Sequence, residues 1–307
     1  MSLLVVGTVA FDAIETPFGK TDKIVGGAAS YISLAASYFH RDIQLVSVIG
    51  DDFPNEFLKT LQAQGVKLDG LEIKKGEKSF FWSGKYHNDL NSRDTLETQL
   101  NVLEHFTPVV PENSKSPDFL MLGNLAPAVQ QSVIKQLTTR PKLIVLDTMN
   151  FWMDIAMEDL MKTIAMVDVL TINDSEARQL SGEYSLVKAA QKILKMGPKV
   201  LVIKKGEHGA LLFNKEEVFF APALPLEEVY DPTGAGDSFA GGFIGYLAKT
   251  KDISFENMKR AIIFGSAMAS FTVERFGTER LIGLKNSDVD ERIQEFVELV
   301  QFDISLV

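Results

Sequence analysis

Aliphatic runs and helical periods alternate along most of this chain. Leu3 to Val6, Ile43 to Ile49, Asp118 to Leu122, Leu143 to Leu146, Val167 to Ile172 and Val200 to Ile203 are short stretches dominated by β-branched or aliphatic side chains. Patterns of helical spacing lie between most of them: Ser185 is followed by Leu186, Ala190, Ile193 and Leu194 and closed by Gly197. Strands that alternate with helices predict an α/β fold with a central, mostly parallel sheet covered on both faces. No fixed-period repeat, low-complexity tract or long linker interrupts the pattern, so residues 1–307 read as one domain.

Two stretches break the alternation. Phe11 to Val25 carries Pro17 and Gly19, and Leu71 to Leu100 holds strand-like segments, Ser79 to Tyr86 and Thr95 to Leu100, around the polar turn Asn88-Asp89. Both read as excursions from the sheet, over about residues 11–25 and 71–101. They are either surface hairpins without a role or a functional cover, and long excursions from compact domains are usually functional.

Composition narrows the partners. An apolar fraction of 46% supports a sizeable core, and a net charge of −10 with no basic stretch argues against nucleic acid or an anionic membrane surface. Small molecules are the expected partners. With no cysteine there is no disulfide framework, thiol nucleophile or cysteine-ligated metal, which fits a cytoplasmic protein. Met1 to Val6 lacks a basic flank, and neither a signal peptide nor a membrane span is expected.

The chemistry concentrates in Asp231-Pro232-Thr233-Gly234-Ala235-Gly236-Asp237-Ser238-Phe239, followed by Phe243, Ile244 and Leu247 at helical spacing. Gly234, Ala235 and Gly236 leave three amides of a helix start almost free of side-chain bulk, and such a terminus binds anions. Asp237 sets a carboxylate beside that anion site. It is either a first-turn Asp favoured by the helix dipole or a base that takes a proton from an attacking hydroxyl. Gly26-Gly27-Ala28-Ala29-Ser30 opens another helix, where paired glycines serve close packing or close approach to a ligand. Asn173-Asp174-Ser175-Glu176 has the spacing of a capping box. Lys204-Lys205-Gly206-Glu207-His208-Gly209 ends a strand in a glycine-rich turn. Other nucleotide motifs fail on spacing: Gly19-Lys20-Thr21 lacks the first glycine of a Walker A loop, and Phe239 stands where a dinucleotide fingerprint needs glycine. His40, His87, His105 and His208 show no zinc-ligand spacing.

The 231–239 motif resembles the signature of the ribokinase-like (PfkB) family of carbohydrate and nucleoside kinases, and the resemblance extends over nearly the whole chain. It implies the ribokinase-like fold, with a small β lid built from the two excursions, and ATP-dependent phosphorylation of a hydroxyl with Mg²⁺. By resemblance Asp237 is the catalytic base and Gly234, Ala235 and Gly236 the anion hole. Asp12, Gly26 and Gly27 contact the substrate's hydroxyls. Asn173 and Glu176 order Mg²⁺ waters and nucleotide phosphates, Gly206 and Gly209 let the nucleotide turn lie against ATP with Lys204 near its phosphates, and Gly265 falls at the adenine pocket. Asp231 and Thr233 match positions that hold K⁺, and lids of this family sometimes pair into homodimers, so a monomer or a homodimer is expected.

Departures from the family pattern bear on the substrate. Ala10 and Tyr31 stand where ribokinases proper have Asn, which removes two polar contacts to a free sugar. The segment Asp147-Thr148-Met149-Asn150-Phe151-Trp152 lacks the arginine often found there, which argues against an acidic or phosphorylated substrate. Phe80, Phe81, Trp82 and Tyr86 crowd the lid with Phe11 and Tyr31, and a flat base stacks on any of them that faces the ligand. The expectation therefore tips toward a nucleoside of the adenosine type over a free sugar such as fructose or ribose. A non-catalytic sugar- or nucleotide-binding regulator is the competing class, and an intact Asp237 counts against it.

Overall fold

The computed structural model describes residues 2–301. In chain order the strands are β1 (Leu3–Val6), β2 (Ala10–Thr16), β3 (Gly19–Lys20), β4 (Ile24–Gly26), β5 (Ile43–Gly50), β6 (Val66–Lys74) and β7 (Phe81–Tyr86). They continue as β8 (Arg93–Gln99), β9 (Phe119–Leu122), β10 (Leu143–Asp147), β11 (Val169–Asn173), β12 (Val200–Lys204), β13 (Ala210–Phe213) and β14 (Val218–Ala221). The helices are α1 (Ala28–Ser37), α2 (Asn55–Ala63), α3 (Pro127–Gln136), α4 (Asn150–Ile155), α5 (Met157–Ile164) and α6 (Asp174–Ser181). After them come α7 (Leu186–Ile193), α8 (Ala235–Thr250), α9 (Phe255–Thr272), α10 (Glu279–Gly283) and α11 (Asn286–Val300).

Nine strands form the main sheet in the order β14-β13-β12-β11-β10-β9-β1-β5-β6, parallel from β12 to β6 and antiparallel at the β13–β14 end. Each central strand is apolar on both sides because each side is covered. Leu3 and Val5 pack into one core with α1, α8 and α9, while Leu4 and Val6 pack into the other with α3, α5, α6 and α7. This is the doubly covered sheet expected from the alternation. Among the described residues no helix is long and apolar enough to cross a membrane.

The two excursions pair with each other. β3, β2, β7 and β8 form a second sheet in that order, with β4 also on β2. Its second segment is shorter than expected, because Leu71 to Lys74 belong to β6, which pairs in parallel with β5 at the edge of the main sheet. An edge strand with one solvated face alternates apolar and polar residues just as a lid strand does, so the pattern alone does not separate them.

The helices α1 and α8 lie backbone against backbone. A Cβ on Gly245 would come within 2.8 Å of the Ala36 Cα, and one on Gly241 within 2.9 Å of the Ile32 Cα. This contact brings the Gly27 start of α1 and the Gly234 start of α8 to one end of the sheet, beneath the lid.

Candidate active site

Helix α8 begins without a side-chain cap. Gly234 turns the chain into it with φ 77, and the Tyr31 ring occupies the space that a Cβ on Gly234 would need. Two independent demands thus fix glycine there. The first turn differs from the expected three-amide hole in one respect: Ala235 N–H donates to the Pro232 carbonyl at 3.2 Å. Gly236 and Asp237, the next two amides, have no backbone acceptor among the described residues. Gly234 N–H has none either, so two of the three expected amides stay free and Asp237 N–H joins them.

Asp231 braces this turn from below. It is fully buried, its Oδ1 accepts from Thr233 N at 2.8 Å, and its Oδ2 accepts from Gly277 N at 3.0 Å. Thr233 Oγ1 donates to the Tyr86 hydroxyl at 3.2 Å, which ties the turn to the lid. A second tie joins Thr16 Oγ1 of β2 to the Tyr230 carbonyl at 2.9 Å.

Asp12 faces the same space from the lid. Its carboxylate lies over Gly26, where any side chain would collide with it, and the neighbouring Gly27 N–H favours its charged form. Burial, followed by the charges of Asp231 and Asp237, pushes the Asp12 carboxyl up to about 7. Tyr31 is buried to 1% exposure with its hydroxyl unpartnered, and its ring spends one face on Gly234. It lines the floor beside Asp12 and Asp237 and leaves no open face for a base.

Lid register decides which aromatics look inward. In-register neighbours of a sheet share a face, and Asp12 pairs with Trp82, Ile14 with Gly84, and Tyr86 with Arg93. Trp82, Tyr86 and Arg93 therefore stand on the face of Asp12, whereas Phe81 and Lys85 stand on the other, where Lys85 meets Glu15 at 2.6 Å. Phe11 also turns away, into Phe53 at 5.0 Å between ring centroids. The Trp82 indole folds over the Cα of Gly84, and its Nε1 donates to Thr95 Oγ1 at 3.2 Å. Arg93 lies 5.7 Å from the Trp82 ring and 6.0 Å from the Tyr86 ring.

Sequence reasoning missed Arg93. It follows a polar turn and looks like a solvated lid charge, yet its positive field acts on Asp12, Glu176 and Asp237 alike. Only the β7–β8 register, set by a turn whose length the alternation does not fix, puts this exposed arginine on the Asp12 face of the lid.

On the other side of Asp237 lie the carboxyl ends of β10, β11 and β12. Asn173 Oδ1 accepts from Glu176 N at 2.8 Å and Glu176 Oε2 accepts from Asn173 N at 2.7 Å, a complete capping box that starts α6. Burial pushes the Glu176 carboxyl up to about 7 against the opposing pull of Lys204. Lys204 is brought in as well: its ammonium meets Asp147 Oδ2 at 2.7 Å. Burial works against that charge, but Asp147 and Glu176 outweigh it and hold the Lys204 pKa above the ordinary lysine value.

The glycines of this side divide. Gly206, at φ 55, lies under the tip of the lid hairpin, where a Cβ would come within 2.6 Å of Asn91 Oδ1. Gly209 packs instead against the following hairpin, where a Cβ would be 2.8 Å from the Pro222 carbonyl carbon. Gly265 sits in the α8–α9 contact, where a Cβ would be 2.8 Å from the Phe239 carbonyl oxygen, so close packing constrains both residues, against a hairpin for Gly209 and a helix for Gly265.

Asp237 stands at the meeting point. Burial, then repulsion from Asp147, pushes its carboxyl up to about 7, while Lys204 and Arg93 pull it down. A carboxylate balanced near neutrality beside two free helix amides is suited to accept a proton as a neighbouring hydroxyl attacks an anion held on those amides. That is the work of a phosphotransferase acting on an alcohol. The family model for pfkB family carbohydrate kinases matches residues 2–282, and the chain belongs to that family.

Individual relatives agree. The chain is 31% identical over 253 residues to a cytidine kinase of Thermococcus kodakarensis, an alignment that covers 80% of this chain and 88% of that one. Its fold matches the crystal structure of Methanocaldococcus jannaschii nucleoside kinase with TM-score 0.75 at 21% identity, over 96% of this chain and 99% of that one. Arabidopsis thaliana ribokinase complexed with ribose and ATP matches with TM-score 0.74 at 19% identity, over 95% and 98%. The protein is an ATP-dependent kinase of the nucleoside and sugar class.

Proposed function

We propose that this kinase phosphorylates a hydroxyl of a neutral nucleoside. The observation that carries the reading is the shared lid face of Asp12, Trp82 and Tyr86: one carboxylate to accept from sugar hydroxyls and an indole beside it to stack a base. The nucleoside and cytidine kinases among its relatives support the same class. A free sugar would use Asp12 and have no base for the indole to stack on.

In the reaction the substrate hydroxyl gives its proton to the Asp237 carboxylate as its oxygen bonds to the γ-phosphorus of ATP. The bond from that phosphorus to the ADP oxygen breaks, and the departing charge stays on ADP. Gly236 and Asp237 N–H donate to the phosphoryl oxygens in flight. For Mg²⁺ the donor set fits indirect binding. Among the described residues no three His, Asp or Glu side chains are grouped to cage a metal, and Glu176 offers one carboxylate oxygen without a protein partner. When bound with ATP the ion neutralises phosphate charge; Glu176 and Asn173 would hold its waters. A K⁺ ion would lie near Asp231 and Thr233, where the carboxylate is already committed to two amides, so its ligands would be mainly carbonyls.

The test is a coupled ADP-release screen of cytidine, uridine, adenosine and inosine against ribose and fructose at equal concentration, repeated in K⁺, Na⁺ and tetramethylammonium. Turnover with at least one nucleoside and little with either sugar is expected, highest in K⁺. Turnover confined to a sugar would overturn the nucleoside reading and leave the kinase class standing.

A further inference from the structure

Lys204 does not follow its own turn into solvent. Asp147 closes β10, in register with Thr171 of β11, and Lys204 closes β12, in register with Asn173 of β11. One strand therefore separates the pair, a span of about 10 Å at the usual strand spacing, and the lysine bridges it at full reach. Both side chains are largely buried, at 17% and 7% exposure. The same ammonium lies against the first turn of α8: a Cβ on Gly236 would come within 3.0 Å of Lys204 Nζ.

A cation beside the positive end of a helix is a costly neighbour unless an anion is shared between them. Asp237 in the first turn of α8 is one such anion, acting on Lys204 by its charge, but Asp147 is not one for the helix. Its Oδ1 is committed to Thr148 N at 2.9 Å and its Oδ2 to Lys204. It fixes the ammonium and leaves the space above Gly236 to something else. A terminal phosphoryl group fits that space, since it would accept from the Gly236 and Asp237 amides and from Lys204 together.

Resting on the kinase reading, we propose that Lys204 contacts the γ-phosphoryl group of ATP and that Asp147 is the positioning residue that holds it there. The pair then makes the protein discriminate ATP from ADP, because ADP has no group at that position. A buried ion pair with a purely structural role would weaken the fold and affect both nucleotides alike.

The experiment measures equilibrium binding of Mg·AMP-PNP and Mg·ADP to the full chain, as wild type, Asp147→Asn, Lys204→Gln and the double variant. Asp147→Asn is expected to lose about 10- to 100-fold in AMP-PNP affinity, the range for a charge-assisted hydrogen bond, with ADP affinity within about twofold of wild type. The double variant should be no weaker than Lys204→Gln alone, since Asp147 acts through the lysine. Should Asp147→Asn fail to fold, Lys204→Gln reads the same discrimination with Asp147 still bonded to Thr148. Equal losses of both nucleotides, or no loss of either, overturn the inference while wild-type turnover keeps the kinase reading. A wild type that binds neither nucleotide overturns both.

Discussion

Asp237 is a base whose strength is set by neighbours of opposite sign. Asp147 and Glu176 raise its proton affinity, Lys204 and Arg93 lower it, and burial adds the largest push upward, to about 7. Only the ionised form accepts the substrate's proton, so kcat/KM for the free enzyme should rise with pH and level off above about 7. Asp237→Asn should bind ATP normally and lose about 10²- to 10⁴-fold in kcat, the worth of a positioned general base. Near-normal turnover in that variant, at full ATP affinity, would remove Asp237 from the role. The side chain of Tyr31 belongs to the same scale. It reads in the sequence as a stacking aromatic, and in the fold it is a wall that makes Gly234 obligatory.

At the scale of elements, the helix starts were legible and the lid register was not. The capping box at Asn173 and Glu176, the paired glycines ahead of α1 and the glycine-alanine-glycine start of α8 are local, and each records a demand met within four residues. Lys204 was legible as a strand-end residue, but its reach over β11 to Asp147 was not, because strand order is a non-local fact. The same holds for Arg93, whose facing depends on how β8 pairs with β7 across a shift in register between Ser83 and Gly84. From that facing a prediction follows. Arg93 lowers the proton affinity of Asp12, Glu176 and Asp237, so Arg93→Gln should leave all three holding protons to higher pH. The acid limb of kcat/KM should move upward in pH, and Arg93→Lys should restore part of the shift. A profile that does not move would mean that the charge of the exposed Arg93 is screened from all three carboxyls during turnover.

For the whole molecule the site is a region of stored instability carried by two well-packed cores. Asp12, Glu176 and Asp237 each have a carboxyl raised to about 7 in the folded protein, against an ordinary value near 4. The folded state thus binds protons more tightly than the unfolded state between those limits, and stability contributed by these groups falls as pH rises from about 4 to about 7. Asp12 gives the cleanest test, being 5% exposed and free of any salt bridge among the described residues. Asp12→Asn keeps the shape and cannot charge. At pH 8, without ligands, it should stabilise the fold by on the order of 2 kcal/mol, which is a rise of several degrees in Tm for a domain of this size. The gain should shrink steadily as the pH is lowered toward 4, where the wild-type carboxyl is already neutral. The same variant should lose nucleoside turnover, because the charge that destabilises the empty site is the one that accepts the sugar hydroxyls. A Tm gain of equal size at pH 8 and pH 4 would mean that shape or unfolded-state effects, and not the buried charge, set the cost of this residue.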